Sequence, residues 1–72
     1  MMNFARITRA RRAGTVPTVM SEIMLEHVAV SGSITEEELI TEGFAPEELA
    51  AHGARARAIA ERSFVKQIDP KY

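Results

Sequence analysis

Two stretches of this chain say nearly the same thing. Ile34-Thr35-Glu36-Glu37-Glu38-Leu39 is echoed ten residues later by Phe44-Ala45-Pro46-Glu47-Glu48-Leu49. Each copy is an apolar residue, a small one, an acidic turn and a leucine, which is how a helix N-terminus is written. With Thr35 as N-cap, Glu38 falls at the third helical position and completes a capping box, while Ile34 and Leu39 form a hydrophobic staple. With Ala45 as N-cap, Pro46 takes the first helical position, where its missing N–H costs nothing, and Phe44 staples to Leu49. The glutamates of both first turns suit the positive end of the helix dipole. Alanine has no side-chain acceptor, so proline and the staple must hold the second start. Starts this close leave a helix of about two turns, Glu36 to Glu42, stopped by Gly43 in a conformation that favours glycine.

The flanks extend the pattern. Thr15-Val16-Pro17 reads as a helix start, and Met20, Ile23, Met24, Leu25 and Val28 form an apolar stripe at helical spacing until Gly32. This first helix runs from about Pro17 to Ser31. The third begins at Pro46 and continues to about Lys66, with Leu49, His52, Ala56 and Ile59 on its buried side. Gly53 either divides it, starting a fourth helix at Ala54, or sits inside one long helix, which is the favoured reading. Pro70 prevents much extension. Residues 1–14 carry little apolar periodicity and end at Gly14, so they read as a flexible arm. The expected organisation is a basic arm over 1–14, a helical domain over 15–66 and a tail over 67–72. Phe64, Val65 and Ile68 either cover the core or dock on a partner.

Seventy-two residues make one domain with a thin stability margin. There is no cysteine, so no disulfide or thiolate metal site can staple it. The Met20–Met24 stripe is read as core, or as an adaptable binding face in a dimer. His27 and His52 are read as satisfied, partly buried side chains rather than metal ligands. No nucleophile motif and no glycine-rich phosphate loop is present, and capping accounts for the paired glutamates. Neither enzyme activity nor a cofactor is expected. No apolar run reaches the length of a membrane span, and Pro17, Ser21 and Glu22 follow Arg11-Arg12 too soon for a secretory segment. A cytoplasmic location, or one within a larger assembly, is expected.

Formal charge is near balance, yet it is segregated. Met1 to Ser21 holds Arg6, Arg9, Arg11 and Arg12 and no acid. Glu22 to Glu48 holds eight glutamates and no Lys or Arg. Beyond Leu49, Arg55, Arg57, Arg62, Lys66 and Lys71 outnumber Glu61 and Asp69. Basic, acidic and basic segments in one short chain point to charged partners or to pairing between copies.

A short helix, a glycine turn and a second helix make a helix-turn-helix pattern. At Leu39, Gly43, Phe44 and Leu49 the chain resembles the tri-helical helix-turn-helix class, especially the front half of winged-helix regulators. Met24-Leu25, Val28, Gly32, Ile34 and Thr35 resemble that family's lead-in helix. The likeness covers about residues 17–60. It implies an all-α fold, a small three-helix or four-helix bundle with a flexible basic arm. It also implies DNA as the partner, with the third helix as the reading helix. Two features depart from the family. No wing hairpin is expected after Lys66. The reading helix opens on Pro46, Glu47 and Glu48 and exposes Ala50, Ala51 and Ala54, where family members place base-reading or phosphate-binding side chains.

Two functions from different classes fit. The leading expectation is a small nucleic-acid-binding or regulatory protein that contacts mainly the backbone. Arg6, Arg9, Arg11 and Arg12 of the arm and Arg55, Arg57, Arg62 and Lys66 of the third helix would carry it. The alternative is a non-enzymatic interaction or structural subunit that sets its basic arm and acidic helix face against a protein partner or another copy of itself.

Overall fold

The computed structural model describes residues 3–68, with side-chain surroundings described as far as Arg62. Its elements are α1 (Phe4–Ala13), α2 (Val16–Ser31), α3 (Glu36–Glu42) and α4 (Pro46–Ile68), with no strand among the described residues. The all-α class is as expected. Four helices are present among the described residues, but the fourth is not a product of Gly53: α4 runs unbroken through that residue, and the additional helix is α1.

Both halves of the sequence echo form helix starts. The Glu38 N–H donates to Thr35 Oγ1 at 3.2 Å, and the Thr35 N–H donates to Glu38 Oε1 at 2.8 Å, so the capping box is complete. At the second start the Ala45 N–H donates to Glu48 Oε1 at 2.9 Å. Half of the reciprocal box therefore survives without an acceptor on Ala45. Phe44 is 2% exposed and Leu39 is 4% exposed, while Ile34 and Leu49 are half-buried beside them. Gly43 turns the chain with φ of 131°, and a Cβ there would lie 3.2 Å from Ile7 Cδ1. Conformation and close packing both require glycine at that turn.

The basic arm expected over 1–14 is instead helix α1 from Phe4 to Ala13. Ile7 and Ala10 are buried, and Gly14 caps the helix in the left-handed conformation with its N–H on the Ala10 carbonyl. An apolar face only two residues wide is too little periodicity to read from sequence. Polar ties to distant glutamates complete the docking.

The central helix is α2, which packs on both α4 and α1. Met20, Ile23 and Met24 are buried as the stripe predicts, whereas Leu25 and Val28 are half-exposed. Ile7, Met20, Ile23 and Phe44 are the largest fully buried side chains. On α4, among the residues as far as Arg62, Ala56 and Ala60 are buried, with Leu49, His52 and Ile59 half-buried. The buried Ser21 hydroxyl donates to the Thr18 carbonyl at 2.6 Å, which satisfies it inside the core. The side chains of Phe64, Val65, Lys66 and Ile68, and residues 69–72, lie outside the described residues, and with them the expectations for the tail.

Candidate functional site

The eight basic residues predicted to grip a backbone do not form one surface. On α1 the buried Ile7 and Ala10 are flanked by Arg6 and Arg11, and helical spacing sends those two arginines to opposite sides. Arg6 Nη2 lies 3.0 Å from both Glu22 Oε1 and Glu26 Oε2 on α2. Its Nη1 donates to Asn3 Oδ1 at 3.3 Å. Hydrogen bonds from Glu26 and then Glu22 raise the Arg6 pKa above its already high ordinary value. Arg11 reaches the start of α4. Its Nε donates to Glu48 Oε2 at 2.6 Å and its Nη2 donates to Glu48 Oε1 at 2.8 Å, a two-pronged carboxylate grip. The same Nη2 donates to the Gly43 carbonyl at 2.9 Å. Arg11, followed by the Ala45 N–H, holds the Glu48 carboxyl below the ordinary glutamate range against the opposing effect of burial.

A second polar tie closes the other end of α1. Asn3 Nδ2 donates to Glu42 Oε1 at 2.7 Å, and His27 Nε2 lies 2.7 Å from Glu42 Oε2. Glu42 thus joins α3 to α2 and to the residue that precedes α1. The His27 hydrogen bond is the largest cause of a lowered Glu42 pKa, aided by Asn3 and opposed by burial. His27 is half-buried with a partner, the role expected for it. His52 is half-buried on α4.

Of the predicted site residues, Arg6 and Arg11 are therefore bound within the chain. Arg9, Arg12, Arg55, Arg57 and Arg62 are exposed, and no ion pair among the described residues includes them. Arg55 and Arg62 follow Glu48 at seven-residue steps, so they share the side of α4 to which Arg11 is anchored. Arg57 lies on another side of the helix. The side chain of Lys66 is outside the described residues.

The outward side of α4 carries Glu47, Ala50, Ala51, Ala54, Ala58 and Glu61, all of them exposed. Beside it runs a groove of about 350 Å³. Met24, Leu39 and Leu49 make its apolar floor, Gly53, Ala54 and Ala58 make one wall, and Glu36, Arg57 and Glu61 stand at its rim. The sequence pattern points to Leu39 and Leu49 as core and to Met24 as core or an adaptable binding face, but not to the open groove that the three line together. Sequence reasoning also missed Glu22, Glu26 and Glu48 as partners of the arm. One signal was present in the i, i+4 pair Glu22 and Glu26, which makes an acidic fork on one helix face.

Among the described residues no group of three or more His, Asp or Glu side chains is placed to hold a metal ion. No described helix is long and apolar enough to cross a membrane. No family model matches the chain, and no curated protein or solved structure matches it significantly.

Proposed function

We propose that this chain is a small, non-enzymatic protein-interaction or structural subunit that docks through the outward side of α4 and the groove beside it. The observation that carries this reading is the chemistry of that side. In a helix-turn-helix used on DNA, it is the surface that enters the major groove. Here it offers mostly alanines and glutamates over an apolar floor, with Arg57 the one cation at the groove rim among the described residues. Glutamates repel phosphate, and alanines distinguish little beyond a thymine methyl. Such a surface suits a protein better, since small side chains admit a close helix and the floor supplies apolar area. The docking of α1 supports the same reading, because two of the four arm arginines are neutralised by glutamates of the chain itself.

A second reading has its own observation. Arg9 and Arg12 on α1, with Arg55 and Arg62 on the α1 side of α4, are exposed and unpaired among the described residues. Such a set can contact a nucleic-acid backbone without reading sequence.

Titration of labelled duplex DNA at low and moderate salt separates the two readings. The interaction reading expects no saturable binding at low salt. Saturable binding that weakens steeply with salt, and is lost on joint replacement of Arg9, Arg12, Arg55 and Arg62 by alanine, would establish the second reading in its place.

A further inference from the structure

Gly53 lies inside a helix of 23 residues, without the positive φ seen at Gly14, Gly32 and Gly43. A Cβ built on it meets nothing within 4 Å. Neither backbone conformation nor packing within the chain accounts for a glycine there, and a glycine inside a helix is destabilising. What remains is close approach from outside. Gly53 stands in the wall of the α4 groove, next to Ala54 and just over one turn before Ala58, above the floor of Met24, Leu39 and Leu49. A helix laid along this wall can bring its backbone close to α4 and close off the groove floor.

Resting on the reading of α4 as a docking face, we infer that the occupant of this groove is a second copy of the same chain, paired about a two-fold axis. Charge at the rim favours this occupant. Arg57, Glu36 and Glu61 all line the groove and are exposed, so each copy carries both signs at the groove mouth. A two-fold pairing puts the same patch on both sides, and whatever Arg57 meets on the second copy is met again by its twin. Arg57 of each copy then faces a rim glutamate of the other.

The thinness of the core favours it too. Among the described residues, three of the ten buried apolar side chains are alanines and no metal cluster exists, and the chain has no cysteine. Self-association is one way for so small a scaffold to gain buried area. The 23-residue α4, against 16 residues in α2, supplies a surface longer than the helix it packs on.

Sedimentation equilibrium of the full chain over a wide concentration range tests the inference. The expected result is a reversible monomer–dimer equilibrium above the monomer mass of 8.0 kDa. Gly53→Ala is expected to raise the melting temperature of the dilute monomer and to weaken the dimer by about tenfold or more, because the added methyl intrudes at the crossing. Arg57→Glu is expected to dissociate the dimer, and adding Glu61→Arg to restore it. Ala54→Arg and Ala58→Arg, both on the outward side of α4, are expected to give folded monomers by circular dichroism.

A monomer at every concentration would overturn the inference and leave the interaction reading to the DNA titration. A dimer indifferent to both Gly53→Ala and Ala54→Arg would equally overturn it, since the groove would then not be the interface.

Discussion

Arg11 and Glu48 meet through two hydrogen bonds, Nε to Oε2 at 2.6 Å and Nη2 to Oε1 at 2.8 Å, across 37 residues of sequence. The pair joins the last turn of α1 to the first turn of α4. Glu48 has a second duty, since its Oε1 also accepts the Ala45 N–H. Removing the two partners should therefore be unequal. Glu48→Ala loses the ion pair and the surviving half of the capping box, the bond from the Ala45 N–H. Arg11→Ala also loses the ion pair, but its second loss, the bond to the Gly43 carbonyl, is exposed, whereas the Ala45 N–H bond to Glu48 is partly buried. Thermal melts should rank Glu48→Ala as the more destabilising change. Salt should narrow the gap between wild type and Arg11→Ala, because exposed ion pairs are screened.

The two staples should also differ. Leu39 is 4% exposed while Leu49 is half-buried at the groove. Leu39→Ala should cost about 2–5 kcal/mol in urea unfolding. Leu49→Ala should cost clearly less, because part of its surface already meets water. Thr35→Ala should cost about 1 kcal/mol through loss of the completed capping box. Equal penalties at Leu39 and Leu49 would contradict the open groove.

Acid should loosen the docking of α1 only once pH falls below the ordinary glutamate range. Glu42 and Glu48 both have folded-state pKa values below the ordinary glutamate value, held down chiefly by His27 and by Arg11. Between the folded and the unfolded pKa the unfolded chain binds more protons, so stability rises with pH there. The contribution of both groups is complete above the unfolded carboxylate pKa of about 4.3 and is lost as pH falls through the folded values. Glu42→Gln and Glu48→Gln should each flatten the acid limb of a plot of melting temperature against pH. An unchanged acid limb in both variants would show these pairs to be energetically silent.

Two glycines should respond to alanine with opposite signs. Gly43 has φ of 131°, and a methyl added there would lie 3.2 Å from Ile7 Cδ1. Gly43→Ala should therefore destabilise by about 1–3 kcal/mol. Gly53 sits inside a helix with open space around it, so Gly53→Ala should stabilise the dilute chain by about 0.5–1 kcal/mol. Denaturant titrations of the two variants provide the measurement.

The parts of the fold that could be read in advance are those specified by neighbours in sequence. The Thr35 box, the Gly43 turn and the bounds of α3 depend on residues within a few positions of each other, and they are as expected. α2 was legible because its apolar stripe recurs at helical spacing from Met20 to Val28. α1 was not, because its docking depends on Arg6, Arg11 and Asn3 meeting glutamates 16 to 39 residues away. No local period records such pairing. The candidate site was legible to a similar degree. The alanine and glutamate composition of the reading helix was visible beforehand, whereas the groove was not, since it exists only where α4 passes beside Met24 and Leu39.

α1 is part of the folded unit, with Arg6 and Arg11 occupied inside the chain. Native-state amide hydrogen exchange, resolved at Ile7, Ala10 and Arg11, tests this directly. These amides should be protected well above unfolded-chain levels at neutral pH, and protection should fall in an Arg6→Gln/Arg11→Gln double variant while α2 stays protected. Exchange of the wild-type α1 amides at unfolded-chain rates would contradict the account and would return the four N-terminal arginines to the role of a free basic arm.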